Sequence, residues 1–249
     1  MKTVFSREGL KIVAMITMLI DHIAVVGLAG GNWEVFRCIG RIAFPIFAFQ
    51  IVEGFLHTSN RKKYLGFIFV FALISEIPYN LITGGIIYPF SQNILFTFAL
   101  SIIAMNCLEK CCVFSKEKLY KNILPIIMGL LLIGLFLVVG TLTFVSYTGI
   151  GVVLIMLFYF IRKYFTNKYI STLLIGLAIW WSSQSLGGLY FEWENFGVAM
   201  QDFSILAIFF IMGYIFTGSK SLGSKNKWIC YWFYPVHMLL LYSIVTAFR

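Results

Sequence analysis

The sequence predicts an all-α, polytopic transmembrane helix bundle of about nine spans, with the N-terminus inside and the C-terminus outside. Three observations carry that reading. The 249 residues are 60% hydrophobic and only 12% charged, whereas soluble domains are about 45–50% apolar and about 25% charged. Apolar runs of membrane-spanning length recur along the chain, whose mean hydropathy is +0.91. The basic residues stand in short clusters between those runs, as membrane orientation requires and a soluble nucleic-acid-binding module does not. No stretch outside the spans is long enough to fold alone. Residues 1–249 therefore read as one integral membrane domain, multi-pass in the cell membrane, with lipid around it and no nucleic-acid partner.

The first span, 10–28, follows Lys2, Arg7 and Lys11. A charged leader before an apolar run is the pattern of a signal peptide, but Asp21 and His22 interrupt the run and it is too long for an h-region, so it reads as a retained helix. The second span, 39–57, carries Pro45 in its middle, where a kink is expected, and is followed by Arg61, Lys62 and Lys63. Spans 64–82 and 91–108 lead to Lys110, Lys116, Lys118 and Lys121. Spans 121–139 and 145–161 lead to Arg162, Lys163 and Lys168. Spans 169–186 and 203–217 lead to Lys220, Lys225 and Lys227, and the last span is 229–247. Sixteen of the 19 basic residues thus fall on one face, leaving Arg37, Arg41 and Arg249 for the other. The first face is then cytoplasmic. The loop after the seventh span agrees, with Glu192, Glu194 and Asp202, no basic residue, and Tyr190, Phe191 and Trp193 suited to the outer interface. Cys107, Cys111 and Cys112 cluster at a cytoplasmic helix end, where disulfides are rare, and their spacing matches no zinc pattern. No metal site is expected.

Polar groups inside the spans are the candidates for function. From Lys11 to His22 the first helix rises roughly 16 Å, which would place Asp21 and His22 well inside the bilayer. Ionisable groups at such depth mark functional sites by default. The two side chains point about 100° apart, so one can serve chemistry while the other pairs with Arg41 or a neighbouring helix. Gln50, Glu53 and His57 share a face of the second span, Glu76 and Asn80 a face of the third, and His237 lies beside Pro235 in the last. Asp21, His22, Glu53, Glu76 and His237, with Arg41 and His57 nearer the edges, suggest one polar cavity crossing the membrane, with the middle spans as scaffold. A structural role is the competing reading: Glu53 and Glu76 as partners of Arg41 or of helix ends, His57 as an interfacial residue, His237 as a satisfied core histidine.

The runs LKIVAMITMLIDHI, GRIAFPIFAFQIVEGFLHTSNRKKY, FALISEIPYNLI and WFYPVHMLLLY, in this order, resemble the TraX family of membrane proteins, named for a pilin acetyltransferase of conjugation systems. TraX proteins in turn resemble a broader superfamily of multi-span acyltransferases that includes sugar O-acetylating enzymes and the lysosomal heparan glucosaminide acetyltransferase. The resemblance implies an acetyltransferase using cytosolic acetyl-CoA as acyl donor and an acceptor on the far side, whether a pilin-like peptide, a glycan or a lipid. It implies that His22 is the catalytic histidine and that Tyr234 and His237 wall the site. Many relatives begin the first span with an Arg linked to acyl-CoA binding, where the nearest basic residue here is Lys11. The superfamily includes dimers, which leaves a homodimer open.

On this reading a cytoplasmic rim of Lys11, Arg61, Lys62 and Lys63, with Glu53 and His57 beside it, holds coenzyme A. His22 accepts a proton from the acceptor hydroxyl or amine. Asp21, Arg41 or Glu76 orients His22 or steadies developing charge. An acetyl-histidine intermediate is the less favoured variant. The rival from another class is a proton-coupled small-molecule transporter, which would also bury Asp, Glu and His near the midplane, although the chain shows no matching halves of the kind many transporters carry. An inactive scaffold of the same fold is the third.

Overall fold

The structure, a computed structural model, describes residues 4–86, 88–111, 123–187, 192–193, 198–218 and 227–248. Its helices are α1 (Arg7–Val25), α2 (Trp33–Gly40), α3 (Ala43–His57), α4 (Arg61–Thr83), α5 (Ile94–Cys111), α6 (Ile123–Leu142), α7 (Thr148–Tyr164), α8 (Lys168–Gly187), α9 (Ala207–Thr217) and α10 (Lys227–Ala247). A two-residue antiparallel pairing, Glu192–Trp193 with Val198–Ala199, is the sole strand structure among the described residues. Lys2, Cys112, Lys116, Lys118, Lys121, Tyr190, Phe191, Glu194, Lys220, Lys225 and Arg249 lie outside the described residues.

Local sequence explains the helix limits. The Ser6 hydroxyl accepts the Gly9 amide at 2.9 Å and caps α1, so the helix begins at Arg7 rather than Leu10. It ends at Val25, and Gly27 follows with φ +82°. His22 is consequently in the last turn of α1, not midway along it. The Asn60 side chain accepts the Lys63 amide at 2.9 Å and starts α4. Pro45 is the third residue of α3, where its missing N–H leaves no hydrogen bond unmade, and the helical run breaks at Arg41 and Ile42, just before it.

Among the described residues, six helical stretches are long and apolar enough to cross a membrane: Gly30–His57 (α2 and α3 with the short 3₁₀ turn before them), α4, α5, α6, Met200–Thr217 and Trp228–Ala247. The nine stretches read from the sequence all contain helix, but α1, α7 and α8 do not meet that measure. Charge and length explain two of these. Helix α1 carries Arg7, Glu8, Lys11 and Asp21, and α7 has only 17 residues.

Helices α3, α5 and α7 form the centre, with Phe49, Val52, Phe55, Ile102, Met105, Leu154, Ile155 and Phe158 buried among them. Helix α1 packs on α2, α3 and α10, and α10 on α4. Helix α6 pairs with α7 and turns nearly everything else outward: Phe136 and Gly140 are its buried residues, while Leu130, Leu131, Leu135 and Leu142 are exposed. An apolar face of that extent is tolerated in lipid and not in water. The α6–α7 approach depends on small residues, since a Cβ on Gly149 would overlap the Leu137 carbonyl and one on Gly140 would lie 2.7 Å from Gly149 Cα.

Gly149→Ala is therefore expected to destabilise the protein by about 1–3 kcal/mol through overpacking. A thermal unfolding midpoint in detergent equal to that of the parent would contradict this close approach.

Candidate active site

Two histidines distant in the chain meet at the end of α1. His22 Nδ1 lies 2.7 Å from His237 Nε2, and His237 Nδ1 lies 2.7 Å from the Phe233 carbonyl oxygen. A carbonyl only accepts, so Nδ1–H of His237 donates to it. In the neutral pair Nε2 of His237 is then the acceptor for Nδ1–H of His22, and the lone pair of His22 is left on Nε2. The tautomer follows from the hydrogen-bond chain. That nitrogen has no hydrogen-bond partner among the described residues, and His22 lines a cavity. A base held in one tautomer by a second group is the arrangement expected of a proton acceptor.

Asp21, the preceding residue, faces the other way. Its Oδ1 accepts from Arg41 Nη2 at 2.6 Å and its Oδ2 from Arg37 Nη1 at 2.9 Å, while Arg41 Nε donates to the Arg37 carbonyl at 3.3 Å. Arg41 is buried. The trio ties α1 to the α2–α3 junction, and the contact requires Gly40, because a Cβ there would overlap the Asp21 side chain. The aspartate is thus the partner of Arg37 and Arg41, and the histidine is not.

The cavity has a volume of 580 Å³ and is lined by α1, α2, α3, the C-terminal end of α4, the start of α5, the α6–α7 turn and Tyr234 of α10. That is within the usual range for a small-molecule site. Its walls are mostly apolar, with Phe44, Phe47, Phe90 and Ile94 among them, and carry the hydroxyls of Tyr79 and Ser91, which are 3.0 Å apart. One wall is a strained turn. Phe144, Tyr147 and Thr148 have φ of 53°, 61° and 52°, a left-handed conformation uncommon for such side chains, and all three line the cavity. Cross-bonds hold it: Gln92 N–H donates to the Phe144 carbonyl at 2.8 Å, the Ser146 hydroxyl to the Gln92 carbonyl at 2.8 Å and the Thr97 hydroxyl to the Ser146 carbonyl at 2.6 Å. Tyr147 also stacks on Phe44 with ring centres 3.9 Å apart.

Of the residues singled out from sequence, Asp21, His22, Arg41 and Tyr234 line this cavity, and His237 supports it from behind. Glu76 does not. It accepts from the Asn93 side chain at 2.6 Å and ties α4 to the start of α5, while Tyr79, one turn on, reaches the cavity. The others lie toward the opposite end of α1. Glu53 is buried, accepts from Arg162 Nε at 2.7 Å and from the Tyr214 hydroxyl at 3.1 Å, and bolts α3 to α7 and α9. Arg61 pairs with Glu109, which also takes Lys163 at 3.0 Å. His57 is mostly exposed, with Nδ1 2.8 Å from the Glu53 carbonyl oxygen. Lys11, Lys62 and Lys63 make no ion pair among the described residues, and Lys62 and Lys63 are exposed.

The single polar cavity expected to cross the bundle is therefore replaced by two polar regions separated by the apolar packing of Leu10, Ala14, Phe49 and Val52. The middle helices are more than scaffold, since α7 supplies Arg162 and Lys163 and the α6–α7 turn walls the cavity. Sequence reasoning missed Arg37, Tyr147 and Ser91 as site residues. The four-residue spacing of Arg37 and Arg41, which places both on one helical face, was the available signal for the first.

Removing the carboxylate leaves two guanidiniums without their counter-charge, so Asp21→Ala is expected to destabilise by about 3 kcal/mol in detergent unfolding. The double variant Asp21→Ala/Arg41→Ala should recover part of that loss. Simple additivity of the two losses would contradict the pairing.

The family model described as "TraX protein" matches residues 6–245. A "Probable fimbrial assembly protein FimC, serogroup H1" of Dichelobacter nodosus is 38% identical over an alignment of length 111 that covers 41% of this chain and 46% of that protein. The chain thus spans about half the length of this curated relative. No solved structure matches it. The apolar helices and the family together make it a membrane protein. With a family model that leaves out only the first five and last four residues, the chain belongs to the TraX family.

Proposed function

We propose that this chain is a multi-pass acetyltransferase of the cell membrane that moves an acetyl group from cytosolic acetyl-CoA to a hydroxyl or amine on the extracytoplasmic side. The observation that carries the reading is the hydrogen-bond chain from the Phe233 carbonyl through His237 to His22, which leaves a lone pair on Nε2 of a cavity-lining histidine. Nine crossings with the N-terminus inside would put the Lys11 end of α1 at the cytoplasm and the His22 cavity toward the outside. A role connected with pilin is the natural one to test, since the relative is named as a fimbrial assembly protein.

Residues at the Lys11 end fit a phosphate-bearing ligand in part. Lys11, Lys62 and Lys63 form no salt bridge among the described residues, Lys63 standing 5.8 Å from the centre of the Phe67 ring, whereas Arg61 is held by Glu109 and Glu53 by Arg162. Buried polar atoms without hydrogen-bond partners, Arg7 Nε and Gln50 Oε1, stand on α1 and α3, where the Gln50 side chain donates to the Arg7 carbonyl at 3.0 Å. Arg7 is the first residue of α1, so an arginine does open this helix. Lys11, Lys62 and Lys63 would meet the phosphates as point charges, and acetyl-CoA would supply the thioester.

At the other end Nε2 of His22 takes the proton from the acceptor O–H or N–H as that oxygen or nitrogen bonds to the acetyl carbonyl carbon. The C–S bond breaks, and His22 returns its proton to the departing thiolate. His237 keeps the ring oriented and shares the positive charge formed on it. Arg41, locked on Asp21, provides a fixed positive field for the developing oxyanion without having to reorganise.

Purified protein incubated in detergent with radiolabelled acetyl-CoA should hydrolyse the thioester or transfer the label. His22→Ala should lower the rate by about 10²- to 10⁴-fold, and His237→Gln by a smaller factor, with the fold intact. Full activity in the His22 variant would overturn the assignment. A parent that neither binds nor turns over acetyl-CoA, but supports solute flux in vesicles, would favour a proton-coupled transporter.

A further inference from the structure

The cavity beside His22 holds more positive than negative charge. Among the described residues that line it, Arg37 and Arg41 carry guanidiniums and Asp21 carries the sole carboxylate. Both oxygens of that carboxylate are engaged, one by each arginine. Arg41 is buried and also donates through Nε to the Arg37 carbonyl. Arg37 is different: it uses Nη1 alone, and its Nε and second terminal nitrogen have no partner among the described residues. Its side chain keeps 24% of its exposure and lines the cavity. Glu34, one turn earlier on α2, forms no ion pair with it among the described residues and does not line the cavity.

A guanidinium that shares one carboxylate with a second arginine and keeps two idle donors can take a further anionic group. Its planar fork matches the two oxygens of a carboxylate or phosphate. We propose that Arg37 is the anion-recognising residue of this cavity, and that the molecule taken up beside His22 carries a carboxylate or phosphate group. The inference rests on the acetyltransferase reading and deepens it, by naming the class of acceptor: a hydroxyl or amine compound with an anionic group elsewhere on the same molecule. Arg37 anchors the anion while Nε2 of His22 meets the group to be acetylated.

The test is a binding measurement that needs no acyl donor. The full chain in detergent is titrated with two matched pairs, phosphoethanolamine against ethanolamine and β-alanine against propylamine, and the thermal unfolding midpoint is followed. At least one anionic member should raise the midpoint saturably while its uncharged-tail mate does not, and the responding pair tells phosphate from carboxylate. Arg37→Gln should weaken that response about tenfold, the loss of one charge-assisted bidentate contact. Arg37→Lys, which can keep the ion pair with Asp21 but lacks the fork, should weaken it about threefold and serves if the glutamine variant fails to fold. Equal behaviour within both pairs, or an Arg37→Lys or Arg37→Gln response equal to the parent's, overturns the proposal. Acetyl-CoA turnover is measured separately on the parent. Anion binding without turnover would sink the enzyme and leave the anion site standing, and turnover without anion preference would sink the anion site alone.

Discussion

A carboxylate in the last turn of an apolar helix has to find positive charge, and Asp21 finds two. Arg41 at 2.6 Å and Arg37 at 2.9 Å satisfy both of its oxygens, and to do so the α2–α3 junction must come within side-chain contact of α1. Gly40 permits that approach because it has no side chain to collide with Asp21. The rest of the site follows from the clamp. His22, one residue further and rotated by about 100° around the helix, points toward α10, where Nε2 of His237 meets its Nδ1. The cavity lies between the clamp, the start of α3 and the α6–α7 turn.

Two of this protein's polar clusters lie toward opposite ends of α1, with the packed side chains of Leu10, Ala14, Phe49 and Val52 between them. At the Arg7 end the carboxylates are structural, while Arg7 Nε and Gln50 Oε1 are buried without hydrogen-bond partners among the described residues. Glu53 is saturated by Arg162 and Tyr214, and Glu109 by Arg61 and Lys163, so the carboxylates there lock α3, α4, α5, α7 and α9 to one another. At the His22 end Nε2 of His22 and two nitrogens of Arg37 have no hydrogen-bond partner among the described residues, and both side chains line the cavity. Saturated networks hold a membrane protein together, whereas groups left with spare bonding capacity are where a ligand gains most.

The α6–α7 turn makes the same distinction in the backbone. Three non-glycine residues with positive φ are unfavourable by about 1–3 kcal/mol each. They persist because Gln92, Thr97 and the Phe44 ring hold the turn from neighbouring helices. A wall fixed from outside does not have to reorganise when a ligand enters. That is the economy expected of a preorganised site.

Hydrophobic pattern determined most of the fold. Runs of apolar residues ended by Lys and Arg are sufficient to say helix, and helices occupy all nine stretches read that way, because in an apolar surround a segment must satisfy its own backbone hydrogen bonds. Composition also singled out Asp21, His22, Arg41 and His237, since charge inside an apolar run is visible without coordinates. Which of them pair was not visible. His22 and His237 are 215 residues apart and Glu53 and Arg162 are 109, and equally good partners by type stood nearer in the chain. Glu76 had the same chemical identity as Asp21 yet was taken up by Asn93, away from the cavity. Periodicity is a local property and sequence carries it; the assignment of each charge to its counter-charge, and so of each ionisable residue to structure or to chemistry, depends on the packing of whole helices and was decided only in three dimensions.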